Sequence, residues 1–185
     1  MKEHVVKIMG IDPGNNLGVS ILSVDIRDLS ILDIEVKTYV LEDYVSYVTG
    51  DKVMNKLFYI QDLIPKLCYE YQPIVISMET AFMNSRFPKA VINLSQYVGM
   101  IEYTIRSTNP FIKIFKYAPK YIKSKISTGD ANKNDMKSGI ASIPEIYDKL
   151  DMKFTTEHSI DATAMAYVAL KEIRECPIVL CSIPN

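Results

Sequence analysis

The stretch GIDPGNNLG, residues 10–18, decides the fold. Residues 5–11, which run into it, are mostly apolar and β-branched, which predicts a buried strand. Asp12 ends that strand, where a carboxylate is costly unless a cation meets it. Pro13-Gly14-Asn15-Asn16 has the chemistry of a tight turn, and VSILSV resumes an extended pattern. The stretch reads as a hairpin with an acid at its mouth, the proline and glycines turning the chain away. Asp before Pro-Gly is also common simply because Asp favours turns, so an ordinary structural reading stands beside that one.

Working outward, extended segments are predicted over residues 5–11, 18–24 and 30–40, separated by short turns and so antiparallel neighbours. VMNKLFYIQDLIPKLCYEY has helical spacing at Leu57, Ile60, Ile64, Leu67 and Tyr71, with Pro65 as a bend or boundary. PIVISMET reads as a buried strand. PKAVINLSQYVGMIEYTIRS is helical, with an apolar stripe at Val91, Leu94, Val98, Ile101 and Ile105. FIKIFKYAP is another strand, and ANKNDMKSGIASIPEIYDKL holds a helix broken near Pro144. HSIDATAMAYVALKEIRE is a last helix with its apolar face at Ala162, Met165, Ala166, Ala169 and Ile173. Three consecutive strands followed by alternating helix and strand imply a mixed α/β sheet with helices on its faces. No linker divides the chain.

The 185 residues suffice for one domain with a substantial core. No apolar run approaches a membrane span, and the charged start is unlike a signal peptide. Cys68, Cys176 and Cys181 form no metal-type cluster, and reduced thiols in a cytoplasmic setting are expected. The net charge of −1 does not advertise a polyanion partner, but its distribution is uneven. Residues 103–128 carry Arg106, Lys113, Lys116, Lys120, Lys123 and Lys125 without one acid, interleaved with Phe111, Phe115, Tyr117 and Tyr121. That pattern suits a nucleic-acid groove, or a solvated edge that deters aggregation.

Asp12 and Glu79 each close an apolar strand, and on adjacent parallel strands they would meet at one sheet edge. His158 and Asp161, three apart, share one face at the start of the last helix. Three carboxylates cannot sit together ionised without a cation. Hard oxygen ligands favour Mg²⁺ or Mn²⁺, and paired divalent ions suit phosphodiester cleavage. Each group also has an ordinary reading, as a strand-end surface acid or as a helix N-terminal residue favoured by the macrodipole.

GIDPGNNLG, ISMETAFMN, GDANKNDM and HSIDATAMAYVA, in that order, resemble the RuvC family of Holliday junction resolvases within the RNase H-like superfamily. The likeness runs over residues 7–169 and extends to phage-type members. It implies an RNase H-like five-stranded mixed sheet, with one nuclease domain over residues 1–176 and a tail over 177–185. It implies that Asp12, Glu79 and Asp161 are metal-binding acids, with His158 where the family carries an acid or a histidine. His158 is then a further metal ligand, or a group that places or protonates an oxygen. Phe82 matches an aromatic inserted against bases at the junction centre, and Lys123 and Lys133 match lysines near the scissile backbone. The helix AVINLSQYVGMIEYTIRS matches the dimerisation helix, with Leu94, Val98 and Ile101 of its stripe as the expected contact.

The function so implied is cleavage of four-way DNA junctions by paired symmetric nicks that leave 5′-phosphate and 3′-hydroxyl ends. It would need Mg²⁺ or Mn²⁺, two ions per site, in a homodimer. Relaxed action on forks and flaps fits the same motifs. Two rivals remain at this level: an RNase H-like ribonuclease acting on structured RNA or hybrids, and an actin-like ATPase using the Asp12 turn for phosphate. The second lacks a visible second phosphate loop.

Overall fold

The computed structural model describes residues 4–14, 16–40, 51–81, 87–153 and 155–177. Five strands form one sheet: β1 (Val5–Asp12), β2 (Asn16–Asp25), β3 (Ile31–Val40), β4 (Val75–Glu79) and β5 (Lys113–Tyr117), in the order β3-β2-β1-β4-β5. β1 pairs antiparallel with β2 and β2 with β3, while β1–β4 and β4–β5 are parallel. The expected mixed sheet, three antiparallel strands then parallel ones, is what forms.

The helices are α1 (Lys52–Tyr71), α2 (Pro88–Thr108), α3 (Pro119–Ile126), α4 (Lys133–Ala141), α5 (Pro144–Tyr147) and α6 (Glu157–Glu175). Strand alternation sends Met9, Ile11, Val19, Ile21, Ile76 and Met78 to one face, against α1 and α2. It sends Ile8, Leu22, Val24 and Val75 to the other, against α6. The sheet is thus buried on both faces.

Three sequence expectations need correction. Pro65 neither ends nor divides α1, which runs continuously across it. Gln61, whose carbonyl the ring displaces, is exposed, so water can serve that carbonyl. Val98, Ile101 and Ile105 of the α2 stripe turn inward and belong to the core between α2, α1 and the sheet. They are not a surface for another molecule. Residues 119–126, not expected to be helical, form α3, with Pro119 at its first turn and Ile122 buried.

The glycines of the opening stretch also act differently from a pure turn. No described glycine has positive φ. Gly18 lies inside β2, paired with Asp12, and Gly10 lies inside β1, paired with Ser20. A Cβ on Gly10 would come within 1.9 Å of the Ala162 carbonyl oxygen, and one on Gly18 within 2.1 Å of the His158 carbonyl oxygen. These glycines let α6 lie with its backbone almost on the sheet. Buried Ala162 and Ala166 supply the small helix face. Thr163 Oγ1 lies 2.8 Å from the Ser159 carbonyl, to which it donates, and 3.0 Å from Ser20 Oγ, from which it can accept.

Candidate active site

Asp12 and Glu79 sit at equivalent ends of neighbouring parallel strands. The register pairs Ile11 with Met78, so each acid is one residue past the last paired residues and both point to the α6 side. The start of α6 is fixed by a capping box: Thr156 accepts from the Ser159 N–H, and Ser159 Oγ accepts from the Thr156 N–H. Thr156 Oγ1 is also 2.7 Å from Thr38 Oγ1 of β3. The helix is therefore held in register where His158 and Asp161 leave its first turns.

His158 Nδ1 lies 2.8 Å from Asp12 Oδ2 and donates to it. Asn16 Nδ2 lies 3.5 Å from His158 Nε2 on the opposite side of the ring. Both His158 and Asp12 are largely buried, with side-chain exposures of 24% and 15%. The Asp12 carboxylate raises the affinity of His158 for its proton, chiefly by that hydrogen bond. Glu79 is pushed up to about 7, first by burial and then by the charges of Asp12 and Asp161, with Lys123 opposing. Asp161 is pushed up to about 6, first by burial and then by Asp12, with His158 and Lys123 opposing. These couplings place Asp12, Glu79, His158 and Asp161 in one electrostatic cluster, with the Lys123 ammonium facing it.

The donor set fits a hard divalent cation. Three carboxyl groups share a partly buried edge, and Glu79 and Asp161 are both raised above the ordinary carboxylate range, a shift that a bound cation would oppose. Among the described residues, no three His, Cys, Asp or Glu side chains converge closely enough to hold a metal ion as they stand. Mutual repulsion of the acids opposes such closure, and a cation would reverse it.

Lys133 opens α4 and forms an ion pair of 2.5 Å with Glu157, beside rather than inside the acid cluster. The basic stretch is less free than its sequence suggests. Lys116 pairs with Glu102 at 2.8 Å, Lys120 with Asp130 at 3.8 Å, and Arg106 donates to the carbonyls of Pro110 and Ile112. Phe82 lies outside the described residues. The chain reaches it directly from the site, since the Thr80 N–H donates to the Tyr117 carbonyl at 2.8 Å, just past the end of β4. Residues 178–185 of the expected tail also lie outside the described residues.

Sequence reasoning missed Asn16, Gly10 and Gly18 as parts of the site's scaffold. It missed α3, which carries Lys123. Ala118-Pro119 followed by Ile122 and Ile126 at helical spacing was the available signal.

A family model described as crossover junction endodeoxyribonuclease RuvC matches residues 8–169. The RuvC crossover junction endodeoxyribonuclease of Orientia tsutsugamushi (strain Boryong) is 31% identical over 163 residues, 88% of this chain and 93% of the relative. That of Ehrlichia chaffeensis is 33% identical over 141 residues, 75% of this chain and 82% of the relative. Among solved structures, Thermus thermophilus RuvC in complex with a Holliday junction substrate aligns with a TM-score of 0.66 at 16% identity, covering 92% of this chain and 96% of that one. The yeast mitochondrial Holliday junction resolvase aligns with a TM-score of 0.62 at 15% identity, covering 92% and 82%. The structural likenesses establish the fold. With the sequence match spanning nearly the whole length, the chain belongs to the RuvC family of crossover junction endodeoxyribonucleases.

Proposed function

We propose that this protein resolves four-way DNA junctions by paired symmetric nicks, using divalent cations held by Asp12, Glu79 and Asp161. The observation that carries this is the single electrostatic cluster those acids form with His158 at one edge of the sheet. When bound, Mg²⁺ or Mn²⁺, two ions per site, supplies the Lewis acidity for in-line attack at the scissile phosphorus, leaving a 5′-phosphate and a 3′-hydroxyl. Asp12 and Glu79 stand on rigid strand ends, so their backbone positions are set before DNA arrives and only the side chains need close on a cation. His158 orients Asp12 through its Nδ1–H and can move a proton at Nε2, where Asn16 is its neighbour. Lys123 counters the acids and meets the cleaved strand, and Lys133 meets the backbone beside it. Phe82 stacks on bases at the junction centre. A cytoplasmic setting, in a bacterial cell or phage-infected host, fits such a substrate. Among the described residues, no helix is long and apolar enough to cross a membrane.

We place the dimer contact on the outer face of α2. Ile92, Gln96, Gly99 and Tyr103 recur at helical spacing there; Ile92 and Tyr103 are 59% and 66% exposed, and Gly99 has open space where a Cβ would be. A twofold pair matches the symmetry of a junction. The Ile92→Glu/Tyr103→Glu double variant should remain folded and sediment as a monomer. It should nick cruciform plasmid singly instead of in pairs. Paired nicking by a proven monomer would contradict this arrangement.

His158→Ala should slow cleavage by roughly 10²-fold or more, within the usual range for a proton-transferring side chain. His158→Asp should recover part of it, because an acid can serve the same place. Parent-like rates for the alanine variant would remove His158 from the reaction.

The ribonuclease and ATPase alternatives are not favoured, since the family match and its relatives are junction nucleases by name. The deciding experiment offers labelled four-way junction, fork, linear duplex and RNA–DNA hybrid, with and without Mg²⁺ or Mn²⁺. Cation-dependent cleavage should be fastest on the junction. Preference for the hybrid would overturn the assignment.

A further inference from the structure

We propose a second phosphate subsite in the cavity between α4 and the first turn of α6, where Lys137 and Asn134 seat the backbone phosphate next to the scissile one. This rests on the nuclease reading above. The cavity measures about 210 Å³ and is lined by Lys133, Asn134, Lys137, Glu157 and Asp161, among others. Asp161 is shared with the acid cluster, so the cavity continues directly from the proposed site of cleavage.

The charges around the cavity are not equivalent. Glu157 is already met by Lys133 at 2.5 Å, so that lysine and that acid largely cancel. Asp161 stands at the end where a cation would bind. Lys137 lies one turn beyond Lys133 on the same face of α4, is exposed, and makes no ion pair among the described residues. The cavity lining therefore includes an ammonium with no ion pair among the described residues, together with the Asn134 side-chain amide from the same helix. These donors suit an anion, and because Asp161 lines the same cavity, that anion is the next phosphate of the strand being cut. Cβ atoms one helical turn apart are separated by roughly 5–6 Å, so Lys137 stands one turn clear of the Lys133–Glu157 pair.

The test compares junction binding by Asp12→Asn protein without divalent cation, so that the junction stays intact, with and without the added Lys137→Ala change, at salt concentrations from about 50 to 200 mM. Losing one phosphate contact should flatten the plot of log affinity against log salt by about 0.9. Lys137→Arg should keep the steeper slope. A junction carrying one uncharged methylphosphonate beside the scissile position should bind the Lys137 protein more weakly, and the Lys137→Ala protein no more weakly than an unmodified junction. Equal slopes, or an equal methylphosphonate penalty in both proteins, would overturn the subsite. Failure of the Lys137-bearing protein itself to prefer a junction over linear duplex would count against the nuclease reading instead.

Discussion

Asp12→Asn, Glu79→Gln and Asp161→Asn should each lower junction cleavage by roughly 10³-fold or more, the upper range for deleting a principal charge-stabilising group. Each change keeps the side-chain volume and removes a formal charge from the shared cluster. Binding to junction DNA should persist or tighten, because a repelling carboxylate has gone. Glu79→Gln should have a second, opposite effect, on stability. Glu79 is held at about 7, well above an ordinary carboxylate. Between those two values the folded state binds a proton that the unfolded state does not. Stability therefore falls as pH rises through that window, and the folded protein is under strain above it. Without metal at about pH 8, Glu79→Gln protein should be more stable than the parent by on the order of 2 kcal/mol, and the gain should vanish near pH 4. Adding Mg²⁺ should raise the melting temperature of the parent by mass action and leave the variant nearly unmoved. Thermal melts across pH, paired with single-turnover cleavage, read both effects. A variant that cuts at the parent rate, or melts below the parent at high pH, would remove Glu79 from the site.

Gly18→Ala should disable the enzyme without touching one of its chemical groups. The added methyl would stand 2.1 Å from the His158 carbonyl oxygen and 2.4 Å from its carbon. Both are backbone atoms of α6, so no side chain can swing aside to make room. The helix start must move outward, and His158 and Asp161 move with it, while Asp12 stays on β1. A displacement of about 1 Å at a reacting centre can cost about 10²-fold in rate. The expected cost in stability is about 1–3 kcal/mol, the usual range for overpacking. Circular dichroism should retain the mixed sheet, cleavage should fall by at least that factor, and Mg²⁺ should stabilise the variant less than the parent. Unchanged cleavage in a folded Gly18→Ala protein would show that α6 is not positioned by this contact.

These outcomes follow from parts of the molecule that were unequally legible in the sequence. The strand acids could be read because period-two alternation fixes which face a strand end presents, and parallel pairing of β1 with β4 brings Asp12 and Glu79 to one edge. His158 and Asp161 could be read because spacing within one helix fixes their common face. The glycines could not, since turn chemistry and close helix approach demand the same residue, and only the position of α6 separates the two uses. The α2 stripe failed for a related reason. Apolar spacing shows that a helix has a buried face but not what buries it. Val98 and Ile101 meet this chain's own core, while Ile92 and Tyr103 remain outside. The basic run likewise counted charges without their partners, and Glu102 and Asp130 lie just outside its limits.

The most direct measurement labels each strand of a four-way junction in turn and maps the cuts made with Mg²⁺ or Mn²⁺. Two nicks should appear at symmetry-related positions on opposed strands, only with the cation present. The resulting duplexes should be closed by ligase without further processing, as 5′-phosphate and 3′-hydroxyl ends require. Cuts on a single strand, asymmetric cuts, or ends that ligase cannot join would contradict paired resolution by this site.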